Sequence, residues 1–428
     1  FLKLKKKLKN IFFISANDIE RNKIRSEFGI TYDLEMLNII NNAKRLGFSV
    51  NSVVITLYKN QPSVDKFIKR LERQNIKTYI HTYTKGYPTD VETIVSEEGY
   101  GANPYIETTK KLVLVNAPGP GSGKLATCLS QLYHEHKRGI NAGYAKFETF
   151  PVWNLPLKHP VNIAYEAATA DLKDINMIDP FHLEKYNINA VNYNRDVETF
   201  PILKNILHHI TGKDIYFSPT DMGVNMVGYC IKNNDIVENA AKKEVVRRYF
   251  NELCNYKQGI SDFDTVQKIK LLMNELNIDE NFLKVVEVSK KASEKKKTNV
   301  IALELPKGKI ITGKQTDLLS PASSVIINAI KELSKIPDEI NLLSPTILEP
   351  ILKLRKNNNT LSLQEVLIAL AVCSVTNPSI ASALEKLEVL KDCEAHATYI
   401  VTNGDLKALK SLKINLTCEP NFYSKEIM

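Results

Sequence analysis

The run Leu112-Val113-Leu114-Val115-Asn116-Ala117-Pro118-Gly119-Pro120-Gly121-Ser122-Gly123-Lys124-Leu125-Ala126-Thr127 constrains this chain more than any other stretch. A short apolar strand gives way to a loop of glycine and proline, which opens directly into an amphipathic helix. Proteins of the α/β class build phosphate cradles in this order. Small residues admit an anion close to the backbone, N–H groups converge on it, the helix N-terminus adds partial positive charge, and a lysine adds a full one. Gly119, Gly121, Ser122, Gly123 and Lys124 are therefore the phosphate-binding candidates. The spacing departs from G-x-x-x-x-G-K-[ST] at two points: Pro118 holds the first glycine position, and Leu125 holds that of the hydroxyl that would ligate Mg²⁺. Thr127 lies too far into the helix to replace it. Either a variant phosphate site or a tight strand-to-helix turn without a ligand fits these residues.

Strand and helix signals alternate through the first third of the chain, the pattern of a mostly parallel sheet covered by helices. Strands are expected at Ile11–Ala16, Ser52–Leu57, Lys77–Thr82 and Leu112–Val115, with helices at Leu34–Leu46, Val64–Gln74, Asp90–Glu97 and Lys124–Arg138. The fold class that follows is α/β and multi-domain, Rossmann-like or P-loop-like at the start. A helical connector and a second α/β domain come after it. The expected boundaries are 1–232, 233–292 and 293–428. Within the last domain, Val300–Leu305 and Lys309–Thr312 flank a Pro-Lys-Gly turn as a hairpin. Helices follow at Ser323–Leu333 and Gln364–Ser374, and a strand at Ala397–Val401. The Lys-rich stretch around Ser293 reads as a hinge or exposed loop. In a parallel sheet the strand C-termini share one edge, which should gather Asn17, Asp18, Thr56, Asn116 and the glycine loop.

With 428 residues, 43% hydrophobic and 25% charged, the chain has core enough for two or three domains. No tract approaches the apolar length of a membrane helix. The net charge of +9 is spread along the sequence. Its local clusters, Lys5–Lys7 and Lys290–Lys297, lack interleaved aromatics, so a nucleic-acid surface is not expected. Six cysteines without CxxC or zinc-ribbon spacing fit reduced thiols in a cytoplasm. The chain starts on Phe1 with strand-like sequence close behind, which reads as a fragment lacking an N-terminal stretch; residues 1–10 are too basic to be a secretory signal.

Several constellations invite a chemical reading. Between Ala142 and Ile231 lie Trp153 and an unusual density of polar residues, among them Glu148, Glu166, Asp171, Asp179, Arg195, Asp221 and Asn225. Either they satisfy the backbone of a long ordered excursion, or they form a substrate-binding wall facing the loop. His134 and His136 sit two apart on a helix and point away from each other, which rules out a shared metal, and His208–His209 fail on the same geometry. Cys393-Glu394-Ala395-His396 is a candidate for a metal ligand or for a nucleophile with its base, as one cluster without a partner. Thr312-Gly313-Lys314 with Ser323-Ser324 offers a second anion site at a helix N-terminus, or equally a hairpin end beside a capped helix.

The wording of Ser15–Arg25, Gly29–Asp33, Asn116–Gln131, Ala142–Leu157, Pro160–Asp171, Asn192–Glu198, Pro219–Gly228, Val366–Pro378, Cys393–His396 and Asn415–Pro420 resembles the bacterial family of uncharacterised proteins known as domain of unknown function 1846. The resemblance covers nearly the whole chain. It implies a multi-domain α/β protein with a Rossmann- or P-loop-like N-terminal part and a separate C-terminal domain. It carries no catalytic residue with it.

The functional expectation is a nucleotide- or phosphate-dependent transferase or hydrolase acting on a small phosphorylated ligand. Lys124 and the loop amides would hold the phosphate, and Asp18, Glu148 or Asp221 would act as general base or hold Mg²⁺ with a nucleotide. No cysteine or histidine pair is expected to hold a metal, neither nucleic acid nor membrane is an expected partner, and a homo-oligomer is compatible with the sequence. The alternative is a non-catalytic ligand-binding or regulatory protein.

Overall fold

Ile11, Phe12, Phe13 and Ile14 are each at most 2% exposed, which places Leu8–Ser15 (β1) inside a sheet covered on both faces. A strand in that position reads as an unbroken apolar run. It pairs in parallel with Val50–Thr56 (β2) on one side, through Ser15 opposite Thr56. On the other side it pairs in parallel with Leu112–Asn116 (β4), through Phe12 opposite Asn116. Lys77–Ile80 (β3) extends the sheet beyond β2, giving the order β3-β2-β1-β4. On one face Phe12, Ile14, Val53 and Ile55 pack with Met36 and Ile40 of the helix Tyr32–Arg45 and with Val64, Phe67 and Leu71 of the helix Pro62–Glu72. Ile11, Phe13, Val54, Tyr79 and Ile106 fill the other.

The computed structural model describes residues 7–25, 30–119, 121–147, 151–223, 225, 227–354 and 360–423. Two units divide the chain. The first comprises Phe1–Thr149 and Asp179–Asn225, and the second Phe150–Ile178 and Met226–Met428. In the second, Val300–Glu304 (β5) and Ile310–Lys314 (β6) form an antiparallel hairpin. Glu394–Ala397 (β7) runs antiparallel to β5, and Asn415–Cys418 (β8) runs parallel to β7, in the order β6-β5-β7-β8. Alternation sorts the side chains of β5: Ile301 and Leu303 join Val325, Ile326 and Ile330 of the helix Pro321–Leu333, while Ala302 joins the helices on the opposite face. The protein is thus α/β, with a parallel four-stranded sheet followed by a second sheet. Among the described residues no helix is long and apolar enough to cross a membrane.

Two expectations need correction. The Lys-rich stretch is neither hinge nor loop but most of the helix Lys284–Lys296. Val285, Val286 and Ser289 bury one narrow face, and the lysines occupy the rest, with Lys290 reaching Glu280 and Glu419. The strand expected at Ala397–Val401 lies three residues earlier, at Glu394–Ala397, where β5 and β8 supply partners on both sides.

His81, just past β3, is 3% exposed and has Nε2 at 3.1 Å from the Pro104 carbonyl, so the neutral ring donates there. Burial pushes its pKa down to about 4, from 6.5. The unfolded chain therefore binds a proton that the folded one refuses. Stability is fully present above about pH 6.5 and falls as pH drops towards 4, by about 3 kcal/mol at the lower end. Thermal melts of the protein and of His81→Gln across pH 7 to 4 check this: the variant should show the shallower decline.

Candidate functional site

The strand order turns at β1, with β2 and β3 to one side and β4 to the other. Open parallel sheets leave a crevice beyond the strand C-termini at such a turn. Three segments meet this edge: Ser15–Asp18 after β1, Thr56 at the end of β2, and the loop after β4.

Two left-handed glycines shape that loop, Gly121 at φ 71° and Gly123 at φ 76°. Gly123 is the N-cap of the helix Lys124–Lys137. A Cβ on it would lie 2.9 Å from Thr56 Oγ1, and the Thr56 hydroxyl donates to the Ser122 carbonyl at 2.8 Å, which seats the loop on the end of β2. Both glycines are needed for backbone conformation, and Gly123 for close approach as well. Alanine at either therefore strains the loop itself, and the two positions do not separate binding from folding.

Lys124 folds back over the loop. Its Nζ donates to the Gly119 carbonyl at 3.1 Å and to Ser122 Oγ at 3.0 Å, and burial holds its pKa below the usual lysine value. One turn on, burial pushes the Cys128 thiol up to about 12, so it stays protonated at neutral pH and is no nucleophile. Gly119 lies flat against Tyr32, where a Cβ would come within 2.5 Å of the phenol oxygen. Over the same tyrosine ring stands Lys23, its Nζ 5.0 Å from the centroid and 3.6 Å from Asp18 Oδ1. Asp18, in the first turn of Ala16–Glu20, is thereby linked to the loop through Lys23 and Tyr32. Burial raises its carboxyl above the usual range, although Lys23 opposes the shift.

The other carboxylates have local duties. Asp221 accepts from the backbone N–H of Phe217 at 2.9 Å and of Ser218 at 3.1 Å, and from the Tyr186 hydroxyl at 3.1 Å. Asp179 caps the helix Pro180–Tyr186 and accepts from the Thr220 hydroxyl at 2.6 Å. Glu148 lies outside the described residues. In the second unit, Asn162 exchanges bonds with both backbone groups of Val152, and Glu166 accepts from the Asn176 N–H at 3.1 Å. Of the two accounts open for the polar stretch, these contacts follow the one in which its side chains satisfy its own backbone.

His134 lies 2.8 Å from the Asn103 carbonyl and His136 3.4 Å from the Ala142 carbonyl, two separate loop contacts. Cys393 and His396 make no nucleophile–base pair. The thiol lies 3.8 Å from the Val389 carbonyl within the C-terminal core, while the imidazole, fully buried, contacts Thr417 and Glu419 and packs on Phe250. The second anion site fails as well, because a Cβ on Gly313 would stand 2.1 Å from Val325 N and Ser323 gives its hydroxyl to the Leu361 carbonyl. Those residues are a strand and a capped helix in close contact. Among the described residues no three His, Cys, Asp or Glu side chains gather as a metal site.

Tyr32 and Lys23 are absent from the candidates that the sequence suggests. A tyrosine at the start of a helix reads as core, and only the parallel register that sets β1 beside β4 brings it to residue 119.

Residues 1–277 match the family model described as domain of unknown function DUF1846, N-terminal, and residues 281–428 match its C-terminal counterpart. A UPF0371 protein of Clostridium botulinum (strain Alaska E43 / Type E3) is 55% identical over 439 aligned positions, covering 99% of this chain and 88% of that protein. A UPF0371 protein of Clostridium tetani (strain Massachusetts / E88) is 54% identical with the same coverage.

Proposed function

The chain belongs to the DUF1846 family, and within that family we propose that its Gly119–Lys124 loop binds the phosphate group of a small phosphorylated ligand, a nucleotide or a phosphorylated metabolite. One observation carries the reading. Gly121 and Gly123 turn the loop through left-handed backbone at the head of a helix of 14 residues, with a half-buried lysine folded across it. Oriented N–H groups, helix dipole and ammonium then act on one point, in the manner of a P-loop. Among the described residues, the absent hydroxyl at Leu125 and the pairing of Asp18 with Lys23 leave the edge poorly supplied with ligands for Mg²⁺. Those two features favour ligand binding over metal-assisted phosphoryl transfer. For a transferase or hydrolase, Asp18 is, among the described residues, the candidate carboxylate placed to serve as base, because Lys23 and Tyr32 link it to Gly119.

Lys124→Ala is expected to weaken binding by about 1.5–3 kcal/mol, the range for hydrogen bonds to charged groups. Isothermal titration of both proteins with ATP, GTP and sugar phosphates is the check, and equal affinities would sink the reading. Hydrolysis assays with and without EDTA separate the enzyme from the binding protein.

A further inference from the structure

We propose, resting on the phosphate reading of the loop, that Tyr32 and Lys23 hold a second phosphate beside the one held by Lys124, so that the ligand class is a diphosphate rather than a single phosphate group. Tyr32 is 7% exposed, and its hydroxyl, which lies against Gly119, has no hydrogen-bond partner among the described residues. The ring is buried, whereas the hydroxyl at its end stays open to solvent, where a ligand on the loop can reach it. Here the ring is fixed among Met36, Leu37 and Ile40, and the hydroxyl is left to donate at the loop.

Charge is arranged around the same point. Lys124 approaches Gly119 from the helix side, through the carbonyl of that glycine. Lys23 stands over the ring of Tyr32, the residue that touches Gly119, with its side chain 45% exposed. A single phosphate taken by the loop amides and Lys124 leaves the second cation and the phenol donor unused. Two linked phosphates use both: the first on the loop, the second between the Tyr32 hydroxyl and the Lys23 ammonium. Asp18, its side chain 14% exposed, tethers Lys23 at 3.6 Å and so fixes where that charge stands.

The test is isothermal titration of the full chain with inorganic phosphate and with pyrophosphate. The wild type should prefer pyrophosphate by about tenfold or more. Lys23→Ala and Tyr32→Phe should each remove most of that preference and leave affinity for inorganic phosphate within about twofold, since neither touches the first phosphate. Tyr32→Phe keeps the buried ring, so the fold is preserved. Lys124→Ala should weaken both ligands together. A wild type without preference, or variants that retain it, would overturn the diphosphate assignment while leaving the loop as a phosphate site. Failure of the wild type to bind either anion would overturn both.

Discussion

Gly313→Ala is expected to destabilise the protein by about 3 kcal/mol or more, at the upper end of what overpacking a tight contact costs. The atoms that a Cβ would meet are Val325 N at 2.1 Å, Val325 Cα at 2.5 Å and the Pro321 carbonyl oxygen at 2.7 Å, all of them backbone. No rotamer change relieves such a clash; the helix Pro321–Leu333 must lift from β6. That helix carries Val325, Ile326, Ala329 and Ile330 into the largest core of the second unit, so the displacement is felt throughout it. Gly404→Ala is the control, because its Cβ would meet open space within a helix, and it should be neutral or slightly stabilising. Denaturant midpoints of the two variants should differ sharply. Similar midpoints would mean that the strand and helix separate at little cost.

Arg247→Met is expected to cost about 3 kcal/mol for an electrostatic reason. Glu394 on β7 has a side chain only 8% exposed, and its Oε1 receives Arg247 Nη1 at 2.7 Å. The same guanidinium holds Glu244 at 2.8 Å, and the nearest substitute cation, Lys243, stands 3.9 Å from Glu394. Removal of the arginine strands a buried carboxylate, and that loss exceeds the net worth of the pair. Arg247→Met combined with Glu394→Gln should therefore recover a large part of the stability. Four-member thermal or denaturant cycles measure it, and strictly additive effects would show the pair to be energetically idle.

How far the sequence foretold this molecule depended on the range of the interactions involved. β1 and β2 were legible because strands buried on both faces spell out as apolar runs, the half-exposed edge strand before the loop showed through its run Leu112–Val115, and the glycine spacing marked the turn before Lys124. The Lys-rich helix was not legible, since its buried face is only Val285, Val286 and Ser289 and its remaining surface is charge. Cys393 and His396 looked like neighbours in sequence, yet residues three apart along extended backbone point to opposite faces. Asp18 was readable from its position after a strand, whereas Tyr32 and Lys23 come to the loop through packing that no local period records.

The first unit is not a continuous piece of chain: residues 150–178 belong to the second unit and interrupt it. Leu129, Leu132 and Tyr133, on the helix that follows the glycine loop, pack against Phe200, Leu203, Ile206 and Leu207. A nascent chain that has reached residue 149 therefore carries the loop and, in Ile94 and Tyr100, one part of the core against its helix, but lacks the part that Phe200, Leu203, Ile206 and Leu207 supply. Synthesis must pass through a segment of the other unit before those partners emerge, and a truncation at 149 leaves Leu129, Leu132 and Tyr133 only partly covered. The order of translation thus makes the glycine loop one of the last parts of its own unit to be completed, although it is among the first to be made.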